Sequence, residues 1–469
     1  MLRFPMHLRA SRAAGALHAV ERLPSLCTLT SKRALSTLAT SSELSDAPPP
    51  GLFSSGAGQV PAEPTIAADA SGAGAGAGDA RPSFASKERQ LRELAAQQPT
   101  AVSLGNLFRS GLDPTPEQSL LNAQFLWREL RIRVAHRITQ LRALPAGLNE
   151  HPCVVEAASM YEHMSDMLGQ CKRPGTYEDE ERFAQVLANT KPTAAVIPRK
   201  IGIALAEVRR RTPLSPEQQR QVDVQLDAFF LNRVGHRLLI QHYLASKQPR
   251  EGFSGIIQSK CSPVAVCEDA AKRVTTVIRE RCGACPEIKI IGDRGHTFTY
   301  IPSHIYFIAN ELLKNACAAT VRRHRGTGEL PAVRVIVARG EEDMTIKVED
   351  EGGGIARSRL SEVWSYAGEW SDEELDFNSS LISSPAVGGE AAPLAQKGLG
   401  LPLARLYAKY FGGTLHVTPM EGYGTDCYVR LYRLGDQNCE NLPSLVRQSP
   451  GELDSTAKGS LFDAQAKRM

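Results

Sequence analysis

The chain has 469 residues, a formal net charge of +4 and ten scattered cysteines. This length allows two or three domains with cores of their own, and the charge is too small to indicate a nucleic-acid partner. No apolar run approaches the roughly 18 residues of a membrane-spanning helix. We therefore expect a multidomain protein without a membrane span and with free thiols in a reducing compartment.

The N-terminal segment, residues 1–42, has the composition of an organellar transit peptide. It is basic, contains one acid, Glu21, and is rich in Ser, Thr, Ala and Leu. The alternative is a basic tail without a targeting role. Residues 43–87 follow as a low-complexity linker with Gly-Ala repeats, which buries too little apolar surface to fold.

Residues 88–261 are predicted to form a helical bundle. Apolar residues recur at helical spacing, and short polar joints, such as Lys191-Pro192, separate the segments. Ser215-Pro216 is a standard helix start, with an N-cap followed by Pro at the first helical position. The predicted helices are Gln118–Leu144, Val154–Leu168, Glu178–Ala188, Ala194–Arg211 and a long segment after Ser215.

Residues 262–434 alternate between strands and helices, so the predicted fold is α+β: a helical bundle followed by an α/β sandwich. The remaining residues, 435–469, are polar and aperiodic and are predicted to be a disordered tail. The predicted strands and helices of the sandwich are Ile288–Ile291, Val333–Val337, Met344–Val348, Leu415–Val417 and Cys427–Leu431, with helices Val264–Arg281, His304–Arg323 and Pro402–Tyr410.

One of these helices carries chemistry along a single face. Glu311, Lys314 and Asn315 lie within about one turn of each other, because residues three and four apart share a face. A carboxylate can serve as a base, and Glu and Asn supply oxygen ligands of the kind that Mg²⁺ accepts. The alternative is an amphipathic helix with a polar edge.

Further along the chain, glycine-rich segments flank strands and a helix. Asp350 begins Asp-Glu-Gly-Gly-Gly directly after a strand, where its carboxylate could accept a hydrogen bond from an exocyclic amine such as that of adenine; the alternative is a tight surface turn. Gly398 and Gly400 precede a helix N-terminus, which suits phosphate. Thr425 precedes the last strand, in a base pocket or in a hairpin turn.

Two other segments give weaker evidence of function. The stretch between Glu369 and Gln396 has no periodicity, and a loop of this length is usually a lid or disordered. Cys282 and Cys285 form a CxxC pair without a second pair at zinc-finger spacing, so free thiols are favoured over a metal or redox site.

The order of these segments resembles the Bergerat ATP-binding fold of gyrase, histidine kinases, the ninety-kilodalton chaperone and mismatch-repair ATPases. More narrowly, residues 104–434 resemble the mitochondrial 2-oxoacid dehydrogenase kinases of the pyruvate and branched-chain types. The sequences of the glycine-rich segments and strands are most similar to those of the plant pyruvate type. The segments that carry this resemblance are Ile132–Arg137, Leu231–Ile240, Glu311–Ala316, Val348–Ser358, Ala392–Ala395, Leu401–Gly413 and Met420–Asp426.

The resemblance implies a serine kinase that phosphorylates and inactivates the E1α subunit of a 2-oxoacid dehydrogenase complex, with ATP and Mg²⁺. Glu311 would be the general base, Lys314 would lie near the phosphates, and Asn315 would bind Mg²⁺. Asp350 would accept the adenine amine, and Thr425 would line the adenine pocket. The other implied nucleotide-site residues are Leu312, Leu313, Ala316, Gly352, Gly354, Gly398, Leu399, Gly400 and Leu401.

The resemblance also implies a location and partners. We expect a mitochondrial transit peptide, a place in the matrix, docking on the lipoyl domain of the E2 core, and a homodimer. Arg233 and Arg237 match an acid-sensing regulatory pocket of the family, although they could instead pair with acids of neighbouring helices. The pyruvate complex is favoured over the branched-chain complex.

Several positions depart from the family pattern. Gln396 replaces the first lid glycine, Ala367-Gly368-Glu369 replaces a Ser-Thr-Ala, and Phe307 replaces a His that many pyruvate dehydrogenase kinases have. These departures keep open a second hypothesis, a catalytically weak ATP-binding regulator docked on the same complex. A third is a histidine-kinase-like ATPase, in which His136 would accept the phosphoryl group.

Overall fold

The structure is a computed structural model that describes residues 84–112, 115–366, 398–433, 440 and 442. The predicted transit peptide, most of the predicted linker, and the departures at 367–369 and Gln396 lie outside these residues. Within the described ranges, no helix combines the length and the hydropathy needed to span a membrane.

The N-terminal region is a helical bundle, and hydroxyl side chains cap several of its helices. Ser103, Thr115, Thr176 and Ser215 each accept a hydrogen bond from a backbone N–H of the first turn. The helices are α1 (Phe84–Ala95), α2 (Leu104–Ser110), α3 (Pro116–Arg142), α4 (Pro152–Gln170), α5 (Tyr177–Asn189), α6 (Lys191–Arg211) and α7 (Pro216–Ser246).

Two predicted boundaries in the bundle were wrong. Helix α6 begins at Lys191 and includes the predicted Lys191-Pro192 joint, because a proline in the first turn replaces an N–H that has no partner in the helix. Helix α1 begins inside the predicted linker. It is held by ion pairs from Lys87 to Asp166 (2.8 Å) and from Glu88 to Arg142 (3.0 Å).

A small antiparallel sheet follows the bundle and was not predicted. Its strands are β1 (Phe253–Ser254), β2 (Ile257–Cys261) and β4 (Phe298–Tyr300), in the order β1-β2-β4. It straddles the predicted boundary between residues 261 and 262, because β2 pairs with a strand that lies well inside the second region. The end of α7 is therefore a better division between the bundle and the α/β region.

The main sheet contains five strands in the order β3-β5-β6-β8-β7. The β3–β5 pair is parallel and the other pairs are antiparallel. Helices α8, α9 and α10 pack against this sheet. The bounds are α8 (Pro263–Cys282), β3 (Ile288–Ile291), α9 (Pro302–Arg323), β5 (Val333–Arg339), β6 (Asp343–Asp350), α10 (Gly400–Lys409), β7 (Thr414–Met420) and β8 (Gly424–Tyr432).

Strand β6 determines where its last residue lies. Alternate residues of a strand share a face, and Met344, Ile346 and Val348 are buried in the core that the helices complete. Asp350 continues this alternation and is 7% exposed. The strand period therefore places a carboxylate on the buried face of the sheet.

The predicted disordered tail needs a correction at Glu440. This residue is 5% exposed, and its backbone N–H donates to the carbonyl of Val102 (3.0 Å). Its carboxylate lies 2.6 Å from the guanidinium of Arg133 in α3. A buried arginine needs carboxylate partners, and this need accounts for the position of a polar residue beyond the last strand.

Candidate active site

Helix α9 brings together the acid, the ammonium and the amide that its sequence predicts on one face. Glu311 is 3% exposed, and the Nζ of Lys314 lies 2.6 Å from its Oε1. The side-chain amide of Asn310 donates to the same oxygen over 3.4 Å. Asn315 is exposed one turn further on. The Glu311 carboxylate is thus held in one position by its neighbours, whereas the side-chain amide of Asn315 is accessible to a ligand.

Three other residues of this helix that were predicted for the nucleotide site lie in the hydrophobic core instead of on the polar face. Leu312, Leu313 and Ala316 are 2%, 0% and 4% exposed and belong to the hydrophobic core. They hold α9 against the sheet, and a contact of their side chains with a nucleotide stays a prediction.

Asp350 ends β6 with its carboxylate in a buried setting. Burial raises its pKa from 3.8 to about 6, although the backbone N–H groups of Gly352 and Thr425 donate to it and oppose this shift. The Gly352 bond measures 2.8 Å. Thr425, which is half-buried, is the cross-strand partner of Asp350 on β8. The register therefore brings the two residues predicted for the adenine pocket side by side.

The glycines after Asp350 allow this loop to approach its neighbours closely. A Cβ on Gly352 would lie 2.4 Å from the Cβ of Ala319 on α9. Gly354 has a φ of +71°, and a Cβ there would lie 2.3 Å from the carbonyl oxygen of Met420. The loop is thus packed between α9 and the β7–β8 turn in a space that only glycine fits.

The sequence analysis missed Arg323, which joins these parts. Its Nη2 donates to the carbonyl of Gly422 in the β7–β8 turn (2.6 Å). Arg323 follows Ala319 by one helical turn, so it lies on the side of α9 that packs on the Gly352–Gly353 loop. Extending the four-residue spacing from Asn315 through Ala319 would have identified it.

The segment before α10 provides backbone donors. Gly398 has a φ of +73°, and among the described residues no side chain caps the N-terminus of α10. Leu399 is fully buried, whereas Gly400 and Leu401 are half-buried. The first N–H groups of a helix without a cap suit an anion such as phosphate.

Of the two predicted regulatory arginines, Arg233 lies in the interior of the bundle and Arg237 is half-buried. Arg233 is 4% exposed, and burial, reinforced by the charge of Arg237, lowers its pKa to about 10. Tyr161 forms a hydrogen bond with Arg233 and lies under the guanidinium of Arg137, at 4.7 Å. The structure thus brings Arg233 and Arg137 together beside the ring of Tyr161, and the charge of Arg237 acts on Arg233.

The cysteines do not form a metal site in the described part of the chain. Cys282 and Cys285 are free thiols. No group of three His, Cys, Asp or Glu side chains in the described ranges is arranged to hold a metal ion.

Comparison with known proteins matches both regions of the chain. Residues 101–258 match the family described as mitochondrial branched-chain alpha-ketoacid dehydrogenase kinase. Residues 301–434 match the family of histidine kinase-, DNA gyrase B- and HSP90-like ATPases. The second match covers α9, β6, α10 and β8, which carry the candidate site.

Individual relatives extend this match over most of the chain. The mitochondrial pyruvate dehydrogenase (acetyl-transferring) kinase of Arabidopsis thaliana is 36% identical over 73% of this chain and 93% of its own length. The corresponding kinase of Schizosaccharomyces pombe is 37% identical over 56% of this chain and 61% of its own length. Human isozyme 4 is 29% identical over 76% and 86%. The chain therefore belongs to the mitochondrial 2-oxoacid dehydrogenase kinase family.

Proposed function

We propose that this protein is a mitochondrial serine kinase that phosphorylates and thereby inactivates the E1α subunit of the pyruvate dehydrogenase complex. One observation carries the proposal. The buried Glu311, its ion-pair partner Lys314 and the exposed Asn315 lie on a helix packed against the strand that ends at Asp350, in a chain similar to named pyruvate dehydrogenase kinases over most of its length.

The adenine end of the site fits a base with an exocyclic amine. Among the described residues, the buried Asp350 carboxylate accepts hydrogen bonds from the backbone N–H groups of Gly352 and Thr425. A carboxylate has capacity for about four hydrogen bonds, so an amine can be accommodated. With a pKa of about 6, Asp350 is ionised and able to accept this bond at the pH of the mitochondrial interior.

The phosphate end would be formed by several elements. The N-terminus of α10, which no described side chain caps, and the Gly398 backbone would bind the phosphates, and Lys314 would neutralise part of their charge. The exposed amide of Asn315 would coordinate Mg²⁺, an ion that accepts oxygen ligands. When bound, Mg²⁺ supplies further charge neutralisation, which phosphoryl transfer needs more than covalent chemistry.

Glu311 would act on the acceptor. We infer that its carboxylate binds the substrate serine hydroxyl and accepts its proton as the oxygen attacks the γ-phosphorus of ATP, whose bond to the β,γ-bridging oxygen breaks to release ADP. Lys314, 2.6 Å away, holds the carboxylate in one position. Because Glu311 is only 3% exposed, water competes weakly for this contact.

The choice of substrate and partners follows from the relatives. The two cited kinases of Arabidopsis and Schizosaccharomyces are named for pyruvate dehydrogenase, which supports the pyruvate complex over the branched-chain complex. We further propose a matrix location, docking on the lipoyl domain of the E2 core and a homodimer. Arg233 and Arg237 would bind a small carboxylic acid as a regulator, because the buried Arg233 and the half-buried Arg237 are adjacent cations that favour an anion.

The test is transfer of radiolabelled phosphate from Mg-ATP to purified E1α of each complex, with the matching E2 core present. Label on serine of the pyruvate E1α, and little on the branched-chain E1α, is the expected result. Tight ATP binding with no label on either substrate would instead support the catalytically weak regulator.

A further inference from the structure

Glu440 belongs to a buried network that joins three separate parts of the chain. Arg133 of α3 lies 2.8 Å from Glu129 and 2.6 Å from Glu440. The hydroxyl of Tyr410, immediately after α10, donates to the same Glu440 carboxylate. Arg133, Tyr410 and Glu129 are 1%, 0% and 1% exposed, so water screens these contacts weakly.

The backbone on both sides of the network is fixed as well. Glu440 donates its N–H to the Val102 carbonyl (3.0 Å) and accepts the Val102 N–H through its side chain (3.2 Å). Arg133 also donates to the carbonyl of Thr100 (2.9 Å). The network therefore binds the segment before α2, the middle of α3 and the end of α10 to one carboxylate.

A glycine leaves the space for this arrangement. A Cβ on Gly235 of α7 would lie 2.4 Å from the Tyr410 hydroxyl and 2.6 Å from the Arg133 guanidinium. Helix α7 thus approaches the network closely at this position, and the Tyr410 hydroxyl can reach Glu440 because no side chain intervenes.

The network acts on the helix that begins at the proposed phosphate site. Helix α10 runs from Gly400 to Lys409, and Tyr410 follows it directly. Its middle is bound to α7 through Arg405 and Asp227 (2.9 Å), and its end is bound to the bundle through Tyr410 and Glu440. Because a helix of this length is a stiff body of about 15 Å, movement of its end also moves its N-terminus.

We propose that Glu440 is a positioning residue for nucleotide binding: by holding Tyr410 against Arg133, it sets the position of α10 and therefore of the backbone donors at Gly398–Gly400. This inference rests on the proposed function, since it takes the α10 N-terminus as the phosphate site. Glu440 touches neither nucleotide nor substrate in this account. Its effect is specific to the phosphate end, because Asp350 lies on a strand outside the network.

The test compares two ligands that share the base but differ in phosphate. Equilibrium binding of ATP and of adenosine is measured with the full chain, its Glu440→Gln variant and its Tyr410→Phe variant. The control is Glu280→Gln, since Glu280 is an exposed glutamate of α8. Both network variants should lower the affinity for ATP about tenfold and keep the affinity for adenosine within about twofold of wild type. Glu280→Gln should change neither affinity.

The outcomes separate positioning from general support of the fold. An equal loss of ATP and adenosine affinity, or no loss of either in folded variants, would overturn the inference. Should Glu440→Gln aggregate, Tyr410→Phe carries the same test, because it removes only the hydroxyl and keeps the buried ring. A wild-type chain that binds neither ligand would contradict the proposed function, and the inference with it.

Discussion

The bundle and the candidate site both bury charged groups, but the two regions differ in whether a ligand can reach the residues beside those groups. In the bundle, Arg133 is enclosed by the carboxylates of Glu129 and Glu440 and has no exposed side. In the candidate site, the buried acids Glu311 and Asp350 lie beside polar residues, Asn315 and Thr425, that remain wholly or partly accessible.

The difference indicates what each network does. A closed network has its charges satisfied by the protein, and removing a member leaves another buried charge without compensation. An open network has capacity left for a ligand, so removing a member should change binding or catalysis more than folding. The following substitutions test this division, from the largest expected effect to the smallest.

The largest effect is expected for Glu311→Gln. Glu311 is the proposed acceptor of the serine proton, so its loss should lower phosphate transfer to E1α by about 10²–10⁴-fold, while ATP affinity stays within about twofold. Steady-state kinetics and equilibrium ATP binding measure both quantities. The exposed Glu287 supplies a control, Glu287→Gln, which should behave as wild type. Loss of ATP binding together with transfer would contradict the division of roles.

The closed network is tested by Arg133→Leu. Two buried carboxylates lose their partner, so the free energy of unfolding should fall by about 3–5 kcal/mol. Denaturant titration measures this. Arg142→Leu is a matched control on the same helix, where the ion pairs are 41% exposed at the arginine and should contribute below about 1 kcal/mol. Equal losses in the two variants would refute the assignment.

The base end is tested by Asp350→Asn at two pH values. Replacing a buried charged acceptor should lower the affinity for adenosine about tenfold or more at pH 7.5. In the wild type, affinity should fall as the pH is lowered through about 6, where the Asp350 carboxyl gains its proton, and the variant should show a flat profile. A wild-type profile that is also flat would exclude Asp350 as the adenine acceptor.

The Asp350 carboxyl also makes the stability of the fold depend on pH, and this dependence runs opposite to that of adenosine affinity: stability rises as the pH is lowered. Its pKa is raised from 3.8 to about 6, so the folded chain holds the proton more tightly than the unfolded chain. This stabilising contribution is complete below about pH 4 and is lost as the pH rises to 6. The free energy of unfolding of Asp350→Asn should lack this component.

The smallest effect is expected at two glycines. In Gly235→Ala the new Cβ collides with Tyr410 and Arg133, so the free energy of unfolding should fall by about 1–2 kcal/mol. In Gly169→Ala nothing lies within 4 Å, so the better helix propensity of alanine should raise it by up to about 1 kcal/mol. Changes of the same sign would show that the Gly235 space is not required.

Local patterns predicted most of the fold. Ser215-Pro216 predicted the start of α7, which the capping box confirms, and the strand period placed β5, β6 and β8. Strands of two or three residues, such as Phe253–Ser254 and Phe298–Tyr300, are too short for a period to be detected. They form because a partner strand is already nearby, which is a tertiary cause.

The site shows the same limit. The Glu311–Lys314 contact follows from helical spacing alone, so the sequence was sufficient for it. Arg133 and Glu440 are 307 positions apart in the chain, and no local sequence pattern links two such residues. The contact of Arg323 with Gly422 likewise depends on how the β7–β8 turn packs on α9.

The most direct measurement of the central claim is the activity of an intact pyruvate dehydrogenase complex incubated with this protein. Acetyl-CoA formation should fall over time with Mg-ATP and should stay constant with an ATP analogue whose β,γ-bridge cannot be cleaved. The loss should be absent with Glu311→Gln. Unchanged activity with ATP, or an equal loss with the analogue, would show that inactivation does not proceed by phosphoryl transfer through this site.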